Sequence, residues 1–286
     1  MGARKLPDAF FDRDAAQLAR ELLGKVIRHR VGDLWLAARI IETEAYYLEE
    51  KGSHASLGYT HKRRALFMDG GTVYMYYARG GDSLNFSAGG PGNAVLIKSG
   101  YPYTDALSGP RSLARMQELN PDAQGRPRPP GRLCAGQTLL CRALGLKVPD
   151  WDARRFDARG LYVEDVGEAP AALICTTRLG IPQGRDEHLS YRFVDPAYAA
   201  FCTRNPLRRG QRAGQIERRL DGSGQVCPLV LQGLDLLIES GELGVALGGE
   251  VPAGRPDLGL LPAEALGLLP GGVEGLHGHD LRLLQG

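Results

Sequence analysis

Along residues 14–24, apolar and polar side chains recur at helical spacing, with Asp14 at the start and Gly24 at the end. That pattern predicts a short amphipathic helix with Asp14 near its N-cap. The periodicity then changes to that of strands. Residues 25–30 and 34–47 are predicted as strands, the second run passing from Trp35 through Ile40 and Ile41 to Tyr46. Residues 72–77 and 94–98 are predicted as further short strands, with the Gly-Gly-Asp-Ser and Gly-Gly-Pro-Gly stretches around them as turns. Helical spacing returns at 110–119 and 136–146, separated by a Pro/Gly/Arg loop at 120–132. Residues 171–181 and 191–194 close the pattern as strands. With hairpin turns and no strand–helix–strand rhythm, the expected class is α+β, on an antiparallel sheet.

After about residue 210 this patterning dissolves. Residues 221–286 are crowded with Gly, Leu and acids, are interrupted by Pro, and offer only 228–240 as a strand or short helix. The expected organisation is a folded domain over 1–210 followed by a Gly/Leu/acid-rich extension over 211–286. Charge divides the chain in the same way. From Asp221 onward nine acids face two basic residues, so this tail carries −7 and residues 1–220 the balancing +9. A basic body suits a polyanionic partner such as nucleic acid, although a solvated surface without such a partner has the same balance. The five cysteines (Cys134, Cys141, Cys175, Cys202, Cys227) are odd in number and contain no Cys-x-x-Cys pair. They point to buried free thiols in a reducing cytoplasm rather than to a disulfide scaffold or a structural zinc. The N-terminus lacks the apolar run of a signal peptide, and no stretch reaches the roughly 18–20 apolar residues that cross a bilayer. A soluble, cytoplasmic protein without membrane contact is expected.

Candidate chemistry is densest between residues 40 and 81. Glu44 follows Glu42 by two, so on a strand both share one face, with Thr43 and Ala45 on the other. Such a pair can line the wet face of an edge strand; at the mouth of an aromatic pocket, Glu44 can instead serve as the general base that activates water. Tyr74 and Tyr76 also share a strand face. They read either as a core stripe or as flat surfaces for an extruded base, a stack worth about 1–3 kcal/mol per base. His54, in the loop after the first acidic strand, is a surface histidine or a hydrogen-bonding partner of a base edge or water. The run His61-Lys62-Arg63-Arg64 suits phosphates, and Lys98 belongs to the same site only if it faces the same pocket. A strand-borne acid, aromatic faces and adjacent cationic charge are what an enzyme acting on a base drawn out of DNA requires. A sugar glycosidase normally needs two opposed carboxylates, and only Glu42 lies near enough in sequence to be the second.

The order of motifs resembles a known family, the alkyladenine (3-methyladenine, methylpurine) DNA glycosylases. The resemblance rests on ETEAY at 42–46, Ser-His-Ala at 53–55, Arg-Ala-Leu-Phe at 64–67, GTVYMY at 71–76, Asn85 and AVLIK at 94–98. It continues through LCAGQTLLCRALGL at 133–146, TRLGI at 177–181 and Tyr-Arg-Phe at 191–193, covering about residues 6–210 in order. It implies a single mixed α/β domain around a curved antiparallel sheet. It also implies a monomeric enzyme that hydrolyses the N-glycosidic bond of damaged purines, with no metal or other cofactor and no lyase step.

Carried over by position, Glu44 deprotonates the attacking water and Lys98 stands where an arginine helps hold it. Tyr46, His54 and Tyr76 form the aromatic box around the base, and Asn85 crowds out the exocyclic amine of guanine. Leu66 also falls in the DNA-binding set, and Arg63, Arg64, Arg178 and Arg204 are expected to hold phosphates of damaged duplex DNA, so that binding depends strongly on salt. Arg79 occupies the place of a tyrosine that wedges into the minor groove. An arginine probes that groove but fills a stacking gap less well, which brings single-stranded DNA in as a substrate beside duplex. The other expectation to be weighed is a non-catalytic protein binding damaged or single-stranded DNA.

Overall fold

A computed structural model describes residues 4–78 and 80–204, together with the backbone of two later strands, 215–219 and 226–229. In chain order the regular elements begin with strand β1 (Arg4–Lys5), helix α1 (Ala15–Leu22), and strands β2 (Val26–Val31), β3 (Leu34–Tyr46), β4 (Val73–Ala78), β5 (Gly81–Ser87) and β6 (Ala94–Pro102). Four helices follow, α2 (Pro110–Leu119), α3 (Pro130–Leu133), α4 (Gln137–Leu144) and α5 (Val148–Trp151). Strands β7 (Leu161–Asp165), β8 (Ala172–Thr176), β9 (Arg192–Val194), β10 (Gln215–Arg219) and β11 (Val226–Leu229) complete the order.

One antiparallel sheet of eleven strands organises them, and β3 is its hub. Along one edge β3 pairs first with β2, Val31↔Leu34 to Val26↔Arg39, and then with β9, Glu42↔Val194 to Glu44↔Arg192. Along its other edge it pairs with β6 from Ala38↔Pro102 to Tyr46↔Ala94. β7 and β1 continue the sheet beyond β2, β8, β10 and β11 beyond β9, and β5 and β4 beyond β6. A strand with neighbours on both edges and cover on both faces reads as a continuous apolar run. Accordingly Leu36, Ile40 and Ile41 are all fully buried.

Helix α1 follows from its sequence. The Asp14 carboxylate accepts from the Gln17 amide at 3.0 Å, satisfying an N-terminal donor. Ala15, Leu18, Ala19 and Leu22 form the buried face, and Gly24, at φ +85°, turns the chain into β2. Thr43 donates from its hydroxyl to the Ala19 carbonyl at 2.8 Å, so the Thr43 face of β3 looks toward α1. The opposite face carries Glu42 and Glu44. At Gly100 helix α4 comes against the sheet so closely that a Cβ would lie 2.8 Å from Leu140 Cδ1 and 3.1 Å from the Arg39 carbonyl.

Several elements differ from expectation. Of residues 80–83, expected as a turn, 81–83 open strand β5, because Gly81 and its successors pair with β4 across the whole hairpin (Tyr77↔Asp82, Tyr74↔Asn85). The strand expected over 171–181 leaves the sheet after Thr176, and the basic run at 61–64 begins a 3-10 turn, His61–Phe67, rather than an open loop. Strand β10 pairs with β8, so the sheet runs past residue 210. Residues 230–286, with most of the expected extension, lie outside the described residues, as does Arg79. Among the described residues no helix is long and apolar enough to cross a membrane. Cys134, Cys141, Cys175 and Cys202 are free and buried, as expected, and burial pushes the thiols of Cys134, Cys141 and Cys202 up.

Candidate active site

The second half of β3 supplies Glu42, Glu44 and Tyr46 on one face. The ladder to β6 is irregular here: Ile40↔Gly100 and Thr43↔Ile97 keep one register, while Glu42 opposes Ser99 out of step. Such a local irregularity re-aims side chains. It lets two consecutive residues of β6 serve the same face of β3: Lys98 approaches Glu44, and the Ser99 hydroxyl donates to Glu42 at 2.5 Å.

Glu44 is fully buried. Its Oε2 accepts from the Tyr46 hydroxyl at 2.8 Å, its Oε1 accepts from the Leu179 amide at 3.1 Å, and Lys98 Nζ stands 3.3–3.4 Å from both oxygens. A carboxylate offers about four lone-pair positions, so three donors leave room for one more, such as a water. Tyr46, Lys98 and Leu179 line a cavity of about 720 Å³, and Glu44 lies one layer behind them. Burial beside the Glu44 carboxylate pushes the Tyr46 phenol well above its ordinary value, so that it stays a donor at neutral pH.

The cavity walls bring together most of the residues expected from sequence, among them Tyr46, His54, Tyr76, Asn85 and Lys98. Tyr74 and Tyr76 stack with ring centroids 5.4 Å apart and planes 27° apart. Tyr74 is buried and packs with Leu66 and Ala94, as a core residue does, whereas Tyr76 is partly open to the cavity. His54 meets Tyr76 edge-on at 4.5 Å, and its Nδ1 lies 3.1 Å from the Tyr74 hydroxyl. Asn85 stands opposite Tyr74 in the hairpin and donates from Nδ2 to the Tyr74 carbonyl at 3.1 Å, which fixes its orientation at the cavity wall.

Desolvation of the ring face packed on the tyrosines, with Arg63 nearby, holds the His54 imidazole below its ordinary value near 6.5. Above that value the ring is neutral in both the folded and the unfolded chain. As pH falls through it the unfolded chain binds the proton first, so this residue makes stability decline toward acid. Histidine NMR should place the His54 midpoint below 6.5; a midpoint at or above it would mean that the ring is not held in this desolvated contact.

Of the residues expected to hold DNA, the structure keeps some at the surface and withdraws others. Arg63 and Arg64 are half-buried on the 3-10 turn, Arg63 donating to the Gly58 and Leu57 carbonyls and Arg64 to the His61 carbonyl. Arg204 is exposed. Leu66 is not at the surface: it is 3 % exposed and forms part of the cavity wall, because its turn packs onto Tyr74. Arg178 is likewise interior, at 4 % exposure, beside Glu50 and Tyr46 rather than at the surface.

Sequence reasoning missed several participants. The Leu179 amide reaches Glu44 because the chain leaves β8 after Thr176 and turns at Gly180, φ +82°. A backbone donor leaves no mark in residue types. Glu42, weighed only as a second acid, is consumed by structure: its Oε1 accepts from Arg192 Nε at 2.6 Å, and its Oε2 from Ser99 and from the Thr203 amide. Burial pushes the Glu42 carboxyl up, with Arg192 opposing. Arg192 also donates to the Thr203 and Arg204 carbonyls at 2.8 and 3.0 Å, which ties the rim of the cavity to the sheet.

A family profile described as Methylpurine-DNA glycosylase (MPG) matches residues 9–198. A protein of Pseudomonas aeruginosa (strain UCBPP-PA14) named "Putative 3-methyladenine DNA glycosylase" is 78% identical over 213 residues, covering 74% of this chain and 89% of the relative. A relative of the same name from Pseudomonas syringae pv. tomato is 75% identical over 216 residues, 76% of this chain and 97% of its own length. The mouse DNA-3-methyladenine glycosylase is 33% identical over 191 residues, which is 62% of this chain and 54% of the mouse protein. The matched region includes the buried acid, the tyrosine strand and the strand carrying Lys98, and the chain belongs to the methylpurine-DNA glycosylase family, as a glycosylase-type hydrolase.

Proposed function

We propose that this protein is a monofunctional DNA glycosylase that hydrolyses the N-glycosidic bond of alkylated purines, 3-methyladenine and 7-methylguanine first, and so starts base-excision repair. The observation that carries this is a single carboxylate, Glu44, held by three donors directly behind an aromatic cavity. A water between Glu44 and the sugar gives its proton to the carboxylate as its oxygen bonds to C1′. The C1′–N bond breaks with its electron pair going to the base. An alkylated purine is cationic, so it leaves neutral and needs no protonating acid. Lys98 offsets the charge of Glu44 and keeps it oriented. Tyr46, Tyr76 and His54 offer faces and an edge on which an extruded purine can stack, and extrusion is least costly where pairing is already weakened by damage.

The test is a lesion panel: duplexes carrying 7-methylguanine, 3-methyladenine, hypoxanthine or ethenoadenine, with released base measured by chromatography and abasic sites by alkali. Free base and alkali-labile strands are expected from the methylated purines, with intact strands before alkali. Strand breaks without alkali would instead indicate a lyase. Binding of damaged duplex with no base released from any lesion would establish the non-catalytic binding protein.

A further inference from the structure

Arg178 was expected at a phosphate, and the structure gives it other work. Its guanidinium carbon lies 4.5 Å from the centroid of the Tyr46 ring and 5.6 Å from that of Tyr191. Its Nη1 donates to the Ala45 carbonyl at 2.8 Å and forms an ion pair with Glu50, which pins the group in place. Arg178 does not line the cavity, whereas Tyr46 does, so the cation supports the ring from the protein side. Tyr46 in turn donates its hydroxyl to Glu44, and the residue after Arg178, Leu179, donates its amide to the other oxygen of the same carboxylate. One two-residue step therefore sets both the aromatic face and the acid.

We propose that Arg178 is a positioning residue that clamps Tyr46 between its guanidinium and an extruded purine, and through Leu179 fixes the orientation of Glu44. The planar guanidinium suits this place because its flat face lies on the ring while Nη1 keeps two directed contacts; an ammonium, a compact point charge, offers no such face. Glu50 supplies the counter-charge that makes a buried cation tolerable, and its carboxyl is pushed up by the same burial. The proposal rests on the glycosylase reading.

The experiment compares wild type, Arg178→Lys and the double variant Arg178→Met/Glu50→Gln in single-turnover excision of 7-methylguanine, alongside salt-dependent binding to undamaged duplex. Removing both charges together avoids leaving one buried alone, so the double variant is expected to melt near wild type. Both variants are expected to excise at least tenfold more slowly, with affinity for undamaged duplex and its salt dependence unchanged. A phosphate contact would give a different signature, uniformly weaker binding with a salt slope reduced by about one, and that result would overturn the clamp. Excision at the wild-type rate in Arg178→Lys would overturn it as well, and this variant keeps the charge if the double variant does not fold. An inert wild type would overturn the glycosylase reading, and this proposal with it; an active wild type with equally active variants overturns the clamp alone.

Discussion

Glu44→Gln is expected to abolish excision of methylated purines, with a loss of at least a hundredfold, since a positioned general base contributes about 10²–10⁴ in rate. Glutamine keeps the size of the side chain but cannot take the proton of the attacking water. It also turns one end of an acceptor-only group into a donor, facing the Tyr46 hydroxyl, Lys98 or the Leu179 amide. Base release should be followed under single-turnover conditions so that product release does not mask the chemical step. Affinity for undamaged duplex, measured on the same preparation, should stay within a few fold of wild type, because the residue lies behind the cavity wall and away from the outer surface. Excision within threefold of wild type would remove Glu44 from the mechanism.

The second large effect falls on stability. Arg192→Met leaves Glu42 fully buried without its cation, and breaking one side of a buried pair costs about 3–5 kcal/mol. For a domain of this size that corresponds to a Tm lower by roughly 6–20 °C. Adding Glu42→Gln to Arg192→Met should recover much of the loss, because no charge is then stranded. The carbonyls of Thr203 and Arg204 still lose their donor, so recovery is expected to be incomplete. Thermal unfolding of the two single variants and the double one measures the coupling. A melting point for Arg192→Met equal to wild type would show that the pair contributes nothing.

Much of this architecture could be read from residue order, and the failures have physical causes. Helix α2 has the predicted bounds, because Pro110 suits a first turn and the run ends before Asn120 and Pro121. Strand β3 was legible from the apolar residues dense around Ile40 and Ile41, although Arg39, Glu42 and Glu44 interrupt them. Strand β5 was not, since Gly, Asp and Ser read as turn chemistry until a partner strand pairs with them. Strand β7 was missed because five residues beside a short edge strand carry little periodicity.

At the site, residue types pointed to Glu44, Tyr46, His54, Tyr76 and Lys98, and the family resemblance added Asn85; the fold brings them to one cavity, with Glu44 just behind its wall. The failures were Leu66 and Arg178, both expected at DNA and both buried. A sequence shows a positive charge but not whether it meets a phosphate or, as with Arg178, a buried glutamate.

The out-of-step pairing opposite Glu42 has a consequence for anyone who transplants this centre into an idealised scaffold. A regular ladder sends neighbouring side chains to opposite sides, so a straightened copy of the strand could keep either the lysine or the serine on the acidic side, never both. A designer grafting the acid must therefore carry the irregularity along.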